Sequence, residues 1–179
     1  MKYLVVIFAF LLRFSAFATT TETNENDLLS IDKFPVPKKS KELMFYIQRD
    51  PNTNTICYAL NLDKNNKVNE KDPIKVYWIR YPEGGQIKDL NYIQRKFAYG
   101  INSKKIATDV YDLKSVAYNK LPLTLKKDAS NNYHVYTKIN KIDCIVERIF
   151  IRIDGGSMWS PNVLFIELKG TDPLTGKKQ

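Results

Sequence analysis

Between positions 80 and 99 the chain gathers side chains suited to holding an anion. Arg80 and Arg95 offer planar donor forks that match a carboxylate or phosphate. Gln94 can orient a bound group and Lys96 adds a point charge. Tyr92 and Tyr99 supply rings that stack on apolar faces and end in a polar tip. These six residues are the ligand-binding candidates. The competing interpretation is a solvated helix face whose long side chains cover neighbouring apolar surface.

Other chemistries find less support. His134 is the single histidine, so a zinc site built from several histidines is excluded, and two separated cysteines do not make a structural zinc site. A nucleophilic dyad of Cys57 or Cys144 with His134 has no recognisable motif around either cysteine. Carboxylate pairs for hydrolysis would draw on Glu83, Glu147 or Glu167, and no spacing selects a pair. The nucleophile elbow, the phosphate loop and the dinucleotide fingerprint are all absent. Asp63 and Asn65 superficially resemble calcium ligands. The sixth and twelfth loop positions hold Val68 and Ile74 where that loop needs Gly and Glu, so a solvated turn is expected. The sequence thus calls for no metal and no cofactor. Aromatic and basic residues interleave, but no RNA-binding signature is present, and a nucleic-acid partner is not expected.

The elements that must position the candidates are mostly strands. In "RIFIRI", Ile149, Ile151 and Ile153 face one way and Arg148, Phe150 and Arg152 the other. "VLFIEL" repeats the pattern with Leu164, Ile166 and Leu168. "TICYALNL" puts Ile56, Tyr58, Leu60 and Leu62 together, and "NYHVYTKI" does so for Tyr133, Val135, Thr137 and Ile139. Each follows the two-residue period of a half-buried strand. "IKVYWIRY" leads Ile74, Val76 and Trp78 directly to Arg80 on one face. Its other face is also apolar, as in a strand that is central or covered. Arg80 is therefore expected partly buried and in need of a partner, either an internal carboxylate or a bound anion.

"NYIQRKFAYGIN" breaks the period. At 100° per residue, Leu90, Ile93, Phe97 and Ile101 fall together, opposite Tyr92, Arg95, Lys96 and Tyr99. One short helix is predicted near residues 89–99, with Asp89 as N-cap and Gly100 in the left-handed conformation past its end. The fold class expected is mainly β, a single antiparallel sandwich or barrel with that one helix. "GGSMWS", residues 155 to 160, reads as a loop before the last strand.

The ends complete the organisation. Residues 1–18 have the charged start, apolar run and Ala16-Phe17-Ala18 site of a secretory signal peptide. The run is shorter than a spanning helix needs, so no stable membrane insertion is expected after cleavage. Residues 19–40 read as a flexible leader whose Phe34-Pro35-Val36-Pro37 part lies extended on the domain. Residues 41–171 form the domain, and 172–179 a frayed tail. Losing Lys2 and Arg13 takes the 28 basic residues to 26 against 19 acidic ones, a mature charge of +7. Scattered lysines of that excess fit ordinary solubility or an anionic partner. A periplasmic or secreted location permits a disulfide between Cys57 and Cys144, which would add about 4–5 kcal/mol by restricting the unfolded chain. Two buried free thiols fit the same strands equally.

At "LMFYIQRDPNTNTICYALN", "DPIKVYWIRYPEGG" and "LNYIQRKFAYGI" the chain resembles an exported, Bacteroidetes-type bacterial family catalogued as domain of unknown function 4833. The resemblance covers most of residues 43–169. It implies an exported domain and supplies no activity, cofactor or catalytic residue. The expectation is thus an exported module for an anionic or amphipathic small molecule or an envelope glycan. The alternatives are an envelope hydrolase using a carboxylate pair or a Cys/His dyad, and a structural or partner-binding envelope protein.

Overall fold

The computed structural model describes residues 34–157 and 160–179. The signal-peptide segment, leader residues 19–33 and residues 158–159 lie outside the described residues; residues 155 and 156, expected in a loop, belong to a strand. Ten strands form one curled sheet, a half-barrel. They are β1 (Leu43–Asp50), β2 (Thr55–Leu60), β3 (Ile74–Arg80), β4 (Gln86–Asp89), β5 (Ile101–Ala107), β6 (Val110–Ser115), β7 (Leu123–Lys127), β8 (Tyr133–Ile139), β9 (Ile142–Gly156) and β10 (Pro161–Thr171). The order is β4-β3-β2-β1-β9-β8-β7-β6-β5, with β10 also paired to β9. All pairings are antiparallel except β1 with β9.

β9 is the pivot of the fold. Its first residues pair with β8, and residues 148–152 pair with β1. The β8–β5 and β1–β4 wings thus diverge from one long strand and curl toward each other. The alternation in the sequence fixes which faces meet. Phe45 and Ile47 on β1, Ile56 and Tyr58 on β2, Val76 and Trp78 on β3 and Ile149 on β9 are buried in the main core. Leu113, Leu123, Leu125 and Val135 join them from the other wing. Tyr58 and Phe45 stack at 4.4 Å with nearly parallel rings. Truncating either ring would cost about 3–5 kcal/mol.

The opposite face of β1, β2 and β9 is closed separately. Phe34 packs edge-on against Phe150 at 5.3 Å, and Phe165 adds to that cluster. Buried Gln48 donates to the Pro35 carbonyl at 2.7 Å and to Thr55 Oγ1 at 3.0 Å. The Phe34–Pro37 segment thus lies on the domain as its apolar residues imply. At the other end, residues 172–179 were expected to fray, and instead they fold back. Gly170 and Gln179 exchange backbone hydrogen bonds, and Lys178 reaches both Glu147 oxygens and Thr171 Oγ1.

The helix differs in detail from its sequence expectation. An α-helical turn, Tyr92–Gln94, runs into a π-helical Arg95–Tyr99; together they form α1. Its N-cap is Asn91, which exchanges capping bonds with Gln94, while Asp89 ends β4 opposite Tyr77. The wider i→i+5 turn advances the register. Tyr99 is brought to the sheet, while Ile93 and Phe97 remain 48% and 51% exposed. Gly100 is extended, at φ −66° and ψ 161°, and not left-handed. Glycine is needed there because a Cβ would meet the Arg95 carbonyl oxygen at 2.0 Å.

Candidate functional site

The six candidates do not form one site. Arg80 and Gln94 line one pocket, at the end of the β1–β3 inner face, with Arg49, Asn54, Trp78 and Lys88. Tyr92, Arg95 and Lys96 line a different dent, against Asn102 and Val116. There Lys96 Nζ is 3.1 Å from the Tyr92 hydroxyl and lies over the Tyr92 and Phe97 rings. Tyr99 belongs to neither lining. Its ring meets Trp78 edge-on at 5.1 Å, and its carbonyl accepts from the Tyr58 hydroxyl at 2.9 Å. Burial raises the Tyr99 phenol above its ordinary value, partly opposed by the Arg49 guanidinium.

Of the two partners expected for Arg80, the structure shows the internal carboxylate. The turn after β3, Tyr81–Glu83, is completed by Gly84 and Gly85, both at positive φ. It returns Glu83 to Arg80, and the pair closes at 2.5 Å. The same carboxylate holds Lys88 at 3.0 Å. Arg80 and Glu83 are 38% and 40% exposed, so this is a partly solvated ion pair and not a buried cation awaiting a ligand.

Among the described residues, the cation of this pocket without a carboxylate partner is Arg49, which sequence reasoning did not select. Its guanidinium lies 5.3 Å from the centroid of the Tyr99 ring. Its Nε is fully buried and has no hydrogen-bond acceptor among the described residues. The carbonyl oxygen of the Asn54 side chain is likewise buried and unpartnered. A buried polar atom without a partner costs about 1–3 kcal/mol; Arg49 Nε is a donor, whereas Asn54 Oδ1 is an acceptor that an anion would not satisfy. The signal was present in "FYIQRD": Phe45, Ile47 and Arg49 share the inward parity of β1. Gln94 Oε1 is engaged by Asn91 N–H and Trp78 Nε1–H, at 3.1 and 3.3 Å. Its amide nitrogen has no acceptor among the described residues. The pocket volume is about 310 Å³. Its lining cations are Arg49, Arg80 and Lys88, and Asp89 is the carboxylate among its lining residues.

Along the same inner face lies an apolar cavity of about 290 Å³. Phe45, Ile47, Ile149, Ile151, Ile166 and Leu168 form one wall, and residues of β5–β7 and the Ala117–Leu121 segment form the other.

Each group named for a hydrolase has its own surroundings in the fold. Burial pushes the Cys57 thiol up to about 12, and Tyr77 is its hydrogen-bond partner. Burial raises the Cys144 thiol as well. Both thiols are free. β1 lies between their strands: Cys57 faces Tyr46, Tyr46 faces Arg148, and Cys144 is four residues before Arg148 on β9. Two strand spacings of about 4.8 Å already exceed the Cα separation a disulfide spans. His134 pairs with Asp128 at 3.1 Å. Glu147 is held by Lys178, and Glu167 pairs with Lys169 at 3.3 Å. In the 63–67 turn, Asp63 Oδ1 accepts from the Asn65 and Lys67 amides, as a solvated turn requires.

Against this geometry, a family model described as Domain of unknown function (DUF4833) matches residues 45–179. The chain belongs to the DUF4833 family. The match extends past the three motifs into the C-terminal fold-back. No curated protein and no solved structure matches the chain. No helix among the described residues is long and apolar enough to cross a membrane.

Proposed function

We propose that this DUF4833 domain is an exported ligand-binding module that takes a small anion in the pocket lined by Arg49, Asn54, Trp78, Arg80 and Gln94. The observation that carries this reading is the Arg49 guanidinium, which lines the pocket together with Gln94 and has no carboxylate partner among the described residues. A carboxylate or phosphate group could accept from the Arg49 guanidinium and the Gln94 amide. Arg80 and Lys88, shared with Glu83, add positive potential at the rim. Trp78 gives a flat apolar wall, fixed by its bond to Gln94. Export rests on the signal-peptide pattern of residues 1–18.

Hydrogen bonds to charged groups contribute about 1.5–3 kcal/mol. Arg49→Met is therefore expected to weaken binding of sulfate, phosphate or a small carboxylate by about 10- to 100-fold in isothermal titration. Arg95→Met, in the other dent, is expected to leave affinity within about twofold. Equal affinity in wild type and Arg49→Met would place the anion elsewhere.

A further inference from the structure

The register of the strands aligns the two pockets. Ile166 of β10 lies opposite Ile151 of β9, and Ile151 lies opposite Arg49 of β1. Asn54 directly precedes Thr55, which faces both Gln48 and Ile79, and Arg80 directly follows Ile79. Reading across the inner face, one row of the sheet therefore runs Ile166, Ile151, Arg49, Asn54, Arg80. Its first two members line the apolar cavity and its last three line the anion pocket. The row before it runs Leu168, Ile149, Ile47, Ile56, Trp78; its first three members line the cavity, and Trp78 lines the anion pocket. Opposed side chains stand on one face about 5 Å apart, so the boundary between the two environments is one strand spacing wide.

From this we infer that the ligand is a single-chain amphipathic anion, with its charged head on Arg49 and its aliphatic tail in the cavity. The inference rests on the anion reading above and adds the second half of the molecule. The cavity lining contains no charged side chain, and its Tyr58 hydroxyl is already spent on the Tyr99 carbonyl. A charged head cannot enter such a lining without a large desolvation cost, whereas a hydrocarbon tail can. A tail lying against this lining removes apolar surface of both partners from water. The volume is about twice that of an apolar cavity that holds one benzene ring, which fits a tail on the order of ten carbons or fewer. Ile166 and Tyr118, both partly exposed, line the same cavity and give the tail a route from solvent.

The test is a chain-length series: butanoate, hexanoate, octanoate and decanoate, each below its micelle concentration, titrated into three proteins. These are wild type, Arg49→Met, and Ala117→Trp, an exposed position on the cavity lining. Circular dichroism checks that each variant is folded. Wild-type affinity is expected to rise about fourfold per added methylene and then level off once the cavity is full. Ala117→Trp should flatten the series while keeping butanoate and inorganic sulfate binding. Arg49→Met should lower every member by a similar factor. A flat wild-type series that still depends on Arg49 overturns the tail and leaves the anion pocket standing. A rising series indifferent to Arg49→Met overturns the anion pocket, and with it the single-ligand inference. A rising series unchanged by Ala117→Trp overturns the cavity as the place of the tail.

Discussion

At the scale of single residues, the decisive contrast is between two arginines that share the inner face. Arg80 closes on Glu83, three residues away, because two left-handed glycines turn the chain back. Arg49 comes near the end of β1, before a short link to β2, and the Tyr99 ring faces its guanidinium. An exposed pair of this kind contributes little to stability but does neutralise charge at the pocket rim. Glu83→Gln is therefore expected to raise affinity for a divalent anion roughly fivefold at low salt, and less at 0.15 M salt. Unchanged affinity at low salt would show that the rim cations do not act on the ligand. The thiols lead to a second expectation. With Cys57 buried and its thiol pushed up to about 12, neither cysteine should react with a thiol reagent in the native protein at pH 8. Both should react once guanidinium unfolds it, without prior reduction. Labelling of the native state within minutes would contradict the buried-thiol geometry.

At the scale of elements, the strands were largely legible and the helix only in part. Alternation in "RIFIRI" and "TICYALNL" assigns the inner and outer faces that the structure shows, because a half-buried strand has a strict period of two. The helix defeats the same logic. Its π-helical turn is set by contacts across the fold, with Trp78 and Tyr58 taking the ring and carbonyl of Tyr99. A fixed angle of 100° cannot express that, so Tyr99 was placed outside and Phe97 inside. Arg49 was missed for a related reason. Its parity was readable, but its lack of a carboxylate depends on which strands neighbour β1, and the parallel β1–β9 pairing is not encoded locally. The close approach at Gly100 supplies a test of the element itself. Gly100→Ala is expected to cost about 1–3 kcal/mol in urea denaturation, because its Cβ would collide with the Arg95 carbonyl. A neutral or stabilising effect would mean that α1 does not end in this tight turn.

At the scale of the whole molecule, the fold is a curled sheet whose two ends are each tied down. The Phe34–Pro37 segment covers the outer face, and the C-terminal residues clasp β9 through Lys178 and Glu147. Burial alone would raise the Glu147 carboxyl, but Lys178 and Thr171 outweigh it and hold it below the ordinary range. A depressed carboxylate stabilises the fold above its unfolded value and ceases to do so as pH falls through its folded value. The clasp should therefore weaken on acidification below about pH 4.5. Glu147→Gln should lower the Tm by about 1–3 °C at pH 7, with the difference vanishing at low pH. A difference that persists at pH 2 would assign the effect to packing and not to charge. The central claim concerns one group within this frame, the guanidinium of Arg49, whose Nε has no acceptor among the described residues. Its resonance can be followed directly by ¹H–¹⁵N NMR of the arginine side chains, assigned by its loss in Arg49→Met. On titration with octanoate it is expected to move saturably and to a hydrogen-bonded shift. A resonance that stays still while octanoate binds would contradict the account.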